Sequence, residues 1–451
     1  MTQIQSAARP GTLDPSFGEK GVLKLSIPGA SGKLPGAVLA LPDNKLLVVI
    51  QSQTPKIFVS VAKLNADGTP DDQFGVGGVV NVILPDHEME ILRGFTPLAD
   101  GGWLISGQYR QGMVVLRQRK DGKLADNFGE GGVLLLPNRP GSDSEWSDTK
   151  GIEAHRHGEN SAEQAPKAMM SGAVASLAED PDGKIILAKY HWDASGNSGQ
   201  AVLRLNADGS PDKSFNGTGF AYIDLGGITT NYITIVAVAV QANGRVLVCG
   251  NFQSETDPLV AFVTRFDAQG RVDPEFNRGR PLILSPANML WTELRAIKVN
   301  ESDGRIVAVG LAIREDRQNT GLIVVLNASD SFNRVFNEGQ PLFSNMLPQG
   351  LRWDKCALQA NGAFIVSGSG GDGYVSKDLC AVTARYLPDG SLDADFNDGD
   401  GYSVFLEEGL FTATQDMTVM GDGRIVLCGN YWVDAEPWPD VIGGWVLRYL
   451  A

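Results

Sequence analysis

The chain has 451 residues, 53 of them acidic and 38 basic, for a formal net charge of −15. That balance argues against nucleic acid as the main partner, because neutralising phosphates takes clustered Lys and Arg, and against anionic membrane surfaces. No run approaches the ~18 consecutive apolar residues of a spanning helix, while a hydrophobic fraction of 43% is ample for a continuous core.

The first residues, MTQIQSAARPGTLDPSFG, show no basic region followed by an apolar one, so no cleavable signal is expected. A cytoplasmic location is the simplest expectation, and export without a cleavable signal is the alternative. Cys249, Cys356, Cys380 and Cys428 are too few for a disulfide framework and read as reduced core thiols.

Taken in order, the chain opens on a turn, TLDPSFGEKG at 12–21, and a strand, GVLKLSI at 21–27. A hairpin follows, LALPDNKLLVVI at 39–50, with Asp43-Asn44 between two apolar runs, a strong short-range hairpin signal. After a third apolar run the opening turn returns as LNADGTPDDQFGVGG at 64–78. The same alternation then repeats. The hairpins are TPLADGGWLISG, LAEDPDGKIILA, VQANGRVLVCG, NESDGRIVAVG, LQANGAFIVSG and MGDGRIVLCG, and the turns are anchored by Phe128, Phe215, Phe276, Phe336 and Phe396. With Phe17 and Phe74 that makes seven copies of each element. A phenylalanine at one position in all seven is a buried plug. The next residue is always Gly or Asn (Gly18, Gly75, Gly129, Asn216, Asn277, Asn337, Asn397), the types that best tolerate a left-handed backbone.

Four strands per unit of roughly sixty residues describe a propeller blade. The expected fold is therefore all-β: a seven-bladed β-propeller, four antiparallel strands per blade, forming one domain over 1–451. The sequence finishes on GGWVLRYLA, a third strand, and begins with the Phe turn and fourth strand that this blade needs. The expectation is that 21–27 pairs with 445–450 and closes the ring, which removes the exposed edges of an open array.

A base ends the third strand in six units (Lys63, Arg117, Arg204, Arg265, Arg385, Arg448), and an acid stands eight residues on at Asp71, Asp212, Asp273 and Asp393, with Asp14 serving Arg448 across the ends. The unit with Val325 in place of the base has Asn333 in place of the acid, and in the Arg117 unit the acid is expected to have slipped to Asp126. Joint loss of both charges marks a structural ion pair, since half a buried pair would be strongly destabilising.

Third strands running into Arg-Leu-Asn-Ala-Asp-Gly, then Asp-x-x-Phe-Gly, then an Asp-Gly-Lys-Ile-Leu-type hairpin resemble the bacterial delta-sixty repeat family. The resemblance covers 11–449 apart from one insertion. It implies a propeller and carries no activity.

Functional candidates are what the repeat leaves over. Between the second and third blades lies a polar insertion at 137–170 that includes His155 and His157. Loops on the face from which it emerges carry aromatics beside acids: Tyr190, His191 and Trp192 in one, Tyr374 in a second, Tyr431, Trp432 and Trp438 in a third. Aromatics flanked by carboxylates suit a protein anchor or stacking on sugars. Arg93, Arg295, Asp354 and Asp416 fall on first strands, where they would line the central channel. The Asp393–Asp400 loop has Asp398 where a calcium loop needs its glycine. No Gly-x-Ser-x-Gly elbow or phosphate loop occurs. The expectation is a non-enzymatic scaffold for a protein partner, with no metal or cofactor. A carbohydrate-binding propeller, and a hydrolase or lyase at the channel mouth, are the alternatives.

Overall fold

A computed structural model describes residues 9–52, 59–83, 89–109, 112–138, 177–193, 195–254, 258–300, 302–371, 378–435 and 439–451, with the side chains of 89–91 left out. Its strands form seven four-stranded antiparallel sheets, spanning 34–82, 89–137, 177–222, 232–284, 289–344, 351–405, and 411–449 with Val22–Lys24 added. These are blades 1 to 7. First strands of neighbouring blades touch one another around the ring, including that of blade 7 against that of blade 1. No described helix is long and apolar enough to cross a membrane.

Blade 4 shows why these residues fold this way. Its strands are Tyr232–Val240, Val246–Gln253, Val260–Phe266 and Leu282–Leu284. The two middle strands are buried nearly end to end and mostly apolar because both faces are covered, a pattern shared with sheets buried on both sides. The cover is the neighbouring blade: Ala237, Cys249 and Val263 share a core cluster with Leu294, Ala308 and Leu322 of blade 5. The core therefore lies between blades. All four cysteines are buried and unpaired with one another.

The Phe turn fastens each blade to the next. All seven anchors are buried, none above 3% exposed. All seven following residues have positive φ, from 43° at Asn277 and Asn337 to 57° at Gly75. Six of the Phe rings point at a turn glycine where a side chain would crowd them, a β-carbon on Gly122 lying 2.6 Å from Phe74 and one on Gly270 2.8 Å from Phe215; at Phe276 that turn position is Asp330, whose carboxylate accepts from Asn277 N–H. A backbone bond closes the same seam, as in Gly18 N–H to Asp67 O at 2.9 Å and Gly129 N–H to Asp208 O at 2.8 Å.

The repeated ion pairs sit above this plug. Arg448 Nε donates to Asp14 at 2.8 Å, Arg204 to Asp212 at 2.9 Å, Arg265 to Asp273 at 2.7 Å, and Lys63 stands 3.4 Å from Asp71. Arg385 lies 2.7 Å from Asp393. Each guanidinium also lies on its own Phe ring, 4.7 Å for Arg448 over Phe17 and 4.8 Å for Arg204 over Phe215. The other carboxylate oxygen accepts the backbone N–H two residues on, at Ser16, Gln73, Ser214 and Glu275, and so shapes the turn. Asn333 does this part alone, accepting from Val335 N–H.

Two features differ from the sequence expectation. Arg117 pairs with Asp100 at 2.8 Å and not with Asp126. Asp100 belongs to the hairpin turn of the same blade, so the acid has moved to the other end of the blade's edge, and Ala125 fills the vacated place at 4% exposure. A second base also reaches the repeated acid from the residue just after the hairpin turn: Lys45 to Asp71 at 2.8 Å, Arg245 to Asp273 at 3.2 Å, Arg424 to Asp14 at 3.2 Å.

Closure is as expected in kind and shorter in extent. Val22–Lys24 pairs with Trp445–Leu447, and Leu25 N–H still reaches Gly444 O at 2.8 Å. The strand does not run to Ile27, because Pro28 follows with no N–H to donate and the chain turns there, Ala30 N–H bonding back to Ile27 O. On the other side of the Phe turn, Leu13 bridges Tyr449 and Gly11 N–H reaches Leu450 O.

These acids make folding pH-dependent. In Asp71 the hydrogen bond from Lys45 leads in holding the carboxyl below its ordinary value. In Asp14 and Asp212 burial acts the other way, and is outweighed by hydrogen bonds from Ser16 or Ser214 and by the nearby bases. Folded values below the unfolded ~3.9 mean that the stabilisation is complete above that pH and is lost as pH falls through the folded values. Urea midpoints are therefore expected to fall steeply below about pH 4, and Asp71→Asn should flatten that fall. An unchanged slope in the variant would show that the acid does not carry it.

Candidate functional site

Two connections per blade, second strand to third and fourth strand to the next first, emerge on one face. The hairpins and Phe turns emerge on the other, and the ion pairs above occupy it. Among the described residues the Phe plugs and their ion pairs do not reach the first face.

Of the residues expected there, Tyr190, His191 and Trp192 end the second strand of blade 3, Ile185–Trp192. Tyr190 is 43% exposed and meets Trp192 edge-on at 6.4 Å. His191 lies against Phe220 at 4.4 Å and Tyr222 at 6.2 Å. Burial and then the neighbouring Lys189 charge hold its pKa below the ordinary value, against a smaller pull from Asp193. Lys189 is buried, its ammonium donating to the carbonyls of Leu136 and Pro137, and burial pushes its pKa down to about 8. Asp193 is taken up by its own loop, accepting from Ser195 N–H and Asn197 N–H.

Tyr431 and Trp432 are not loop residues. They lie in the second strand of blade 7, Ile425–Val433, at 4% and 1% exposure. Successive strand residues point to opposite faces, and here each face is covered: Tyr431 shares a cluster with Trp445 and Phe405, Trp432 one with Leu379 and Ala413. Neither ring is available to a ligand on this face. Tyr374, Trp438, His155, His157 and residues 139–170 lie outside the described residues.

The exposed aromatics that the sequence reading missed are Tyr232 at 51% and Trp291 at 38%, with Ile228 at 41% and Leu290 at 44% beside them. They precede or begin the first strands of blades 4 and 5, Tyr232–Val240 and Met289–Val299. With Tyr190 they make an arc of exposed residues at the loop-face ends of three consecutive blades. The available signal was strand length: NYITIVAVAV and NMLWTELRAIKV keep apolar residues beyond the stretch that neighbouring blades bury.

Among the described residues six first strands carry a bulge, leaving Gly36, Arg93, Val236, Arg295, Asp354 and Gln415 without a partner across the ladder. A bulge re-aims the side chain it leaves unpaired. Arg295 stands 2.9 Å from Glu293 and 3.6 Å from Asp354, which also holds Arg352 at 3.3 Å. For Arg295, burial is outweighed by these two carboxylates and the pKa lies above its ordinary value. Asp416 is held by Lys355 at 3.3 Å and by Val38 N–H at 3.1 Å. Arg93 donates to the amide oxygen of Gln108. Among the described residues no cluster of His, Cys, Asp and Glu could hold a metal ion. Among the described residues Glu293, Asp354 and Asp416 are each tied to a base, an arrangement that holds the wall.

The fold and its repeated fastening define the class: a β-propeller built from a repeated blade unit. The sequence profile described as "Domain of unknown function (DUF5122) beta-propeller" matches residues 181–215 and 241–276. Each segment runs from a hairpin turn to a Phe anchor, in blades 3 and 4. No curated protein matches the sequence. Among solved structures, a protein of unknown function from Dyadobacter fermentans is similar at 13% identity and TM-score 0.41, over 96% of this chain and 100% of its own. Drosophila Semaphorin 1a, extracellular domains 1–2, is similar at 11% and 0.44, over 94% and 87%. A glucose dehydrogenase is similar at 11% and 0.36, over 95% and 99%. None of these similarities bears on activity.

Proposed function

We propose that this chain is a propeller of the delta-sixty repeat type that acts as a non-enzymatic binding scaffold and takes a protein partner on its loop face. The observation that carries this reading is the arc of Tyr190, Ile228, Tyr232, Leu290 and Trp291. Single exposed apolar residues are ordinary on any surface. Five of them on one face of three consecutive blades form the kind of patch that marks an interaction site, and Tyr and Trp are the residue types that anchor interfaces. The pairing of Asp354 and Asp416 with bases disfavours a hydrolase or lyase at the channel mouth.

The test compares capture by the intact protein with capture by Tyr232→Ala/Trp291→Ala. Both residues are exposed, so the variant should melt at the same temperature. Loss of two anchors is expected to weaken a partner by about 2 kcal/mol or more, a factor of roughly thirty. Equal recovery by both proteins would overturn the reading. Binding to a glycan array that is lost in the same variant would transfer the arc to carbohydrate recognition.

A further inference from the structure

We propose that the ring opens at the seam between blades 7 and 1, blade 1 parting from blade 7 together with the Val22–Lys24 strand while the other seams stay closed. From blade 4 round to blade 1, each first strand packs on the second strand of the blade before it. Between blades 4 and 5, Asn251 Oδ1 accepts from Leu294 N–H at 2.9 Å, and its Nδ2 donates to Leu294 O at 3.3 Å. Between blades 6 and 7, Thr414 N–H donates to Ser369 Oγ at 3.4 Å and Thr414 Oγ1 to Gly368 O at 2.8 Å. Between blades 5 and 6 the corresponding residues, Leu311 and Trp353, are both apolar and buried. Leu294, Trp353 and Thr414 each stand just before the bulge of a first strand. In blade 1 that residue is Pro35.

The residue of blade 7 that corresponds to Asn251 is Asn430, at 1% exposure. It lies opposite Gly444 in the ladder, and the Pro35 ring packs directly on Gly444, its Cδ 2.2 Å from where a β-carbon would stand. Proline has no N–H to give. Asn430 Oδ1 therefore lacks the donor that Asn251 has, and Nδ2 too is buried with no partner among the described residues. A buried amide left unpaired weakens the contact it sits in. Further along the same strands the seam does hold, Val38 N–H donating to Asp416 at 3.1 Å and Ala40 N–H to Thr418 at 3.2 Å. The course of the chain singles out the same seam. In the other six blades the third and fourth strands are consecutive, whereas in blade 7 Asp440–Tyr449 and Val22–Lys24 come from opposite ends of the sequence. Blades 7 and 1 can part there without straining a covalent link, and local openings draw on the parts of a fold with the least stabilising contact. This opening does not depend on the loop face being a docking surface.

Native-state hydrogen exchange of the full chain reads the opening. The amides of Val38 and Ala40 bond across the seam, and those of Leu25 and Arg448 bond between the third and fourth strands of blade 7. All four should exchange together, about tenfold or more faster than the matching amide of blade 6, Arg385 N–H to Gly401 O. Fraying of the terminal strand alone would free Leu25 and Arg448 and leave Val38 and Ala40 protected. Two variants remove the mismatch by different routes. Asn430→Leu supplies the residue type found at Leu311, and Pro35→Ala returns an N–H to the strand. Slowing of all four amides by about fivefold or more in either variant is the expected result. Protection of Val38 and Ala40 in the intact protein equal to that of Arg385, or exchange that neither variant slows, would overturn the proposal.

Discussion

Replacing Asp14 by alanine is expected to cost about 3–5 kcal/mol of folding stability, the range for stranding a buried charge, and more than replacing Arg448. The reason is the third charge. Asp14 faces two bases, Arg448 at 2.8 Å and Arg424 at 3.2 Å, and its loss leaves both cations at a seam where Arg448 is 1% exposed. The seam also loses the Ser16 turn contacts that Asp14 accepts. Replacing Arg448 leaves Asp14 still held by Arg424 and Ser16, although it uncovers Phe17 and frees the carbonyl of Ala66 in the next blade. The double variant should therefore be less destabilised than the sum of the two, with a coupling of roughly 1–3 kcal/mol in a double-mutant cycle. Urea midpoints of the four proteins supply the measurement. Additive effects, or an Asp14→Ala variant milder than Arg448→Ala, would show that the pair is not the fastening it looks like.

That third charge was not visible in the sequence, and the reason is physical. Seven copies allow each position to be compared with itself, so what every blade needs, the Phe plug and the Gly or Asn at positive φ, can be read directly, as can the base and the acid eight residues apart that most blades share. Arg424 sits after a hairpin turn where five of the seven copies are basic (Lys45, Lys184, Arg245, Arg305, Arg424) and two are not (Gly102, Ala363); a base in a turn reads as a solvated charge until the fold brings it beside Asp14. Register was hidden for a different reason. Alternation reveals which residues face inward only where one face is wet. Blade strands are covered on both faces, so Tyr431 and Trp432 could be mistaken for loop residues and the bulges at Arg93 and Arg295 left no trace. At the candidate site the loop signal led to Tyr190, which is exposed at a strand end of blade 3, and missed Tyr232 and Trp291, which stand at the starts of first strands in blades 4 and 5 where no loop signal pointed.

Removing residues 1–27 should be more damaging than any single substitution, and a peptide covering 9–27 should restore part of the loss. The deletion removes Val22–Lys24 from the edge of Trp445–Leu447, the Phe17 plug and Asp14 together. Loss of a buried Phe side chain alone is worth about 3–5 kcal/mol. The stranded Arg448 and Arg424 add to this, and the freed edge of Asp440–Tyr449 becomes a template for pairing with another chain. The truncated protein is thus expected to melt well below the intact one and to self-associate as concentration rises, both read by thermal melting and light scattering. Added peptide should raise the melting temperature saturably, because it binds the folded ring and not the unfolded chain. Its Phe17→Ala and Asp14→Ala versions separate the parts: if strand pairing alone closes the ring, all three peptides will rescue equally, and if plug and ion pair hold the seam, neither variant will. A truncated chain that melts with the intact protein would mean that the seven blades close without this seam, by first-strand contacts between blades 7 and 1 alone.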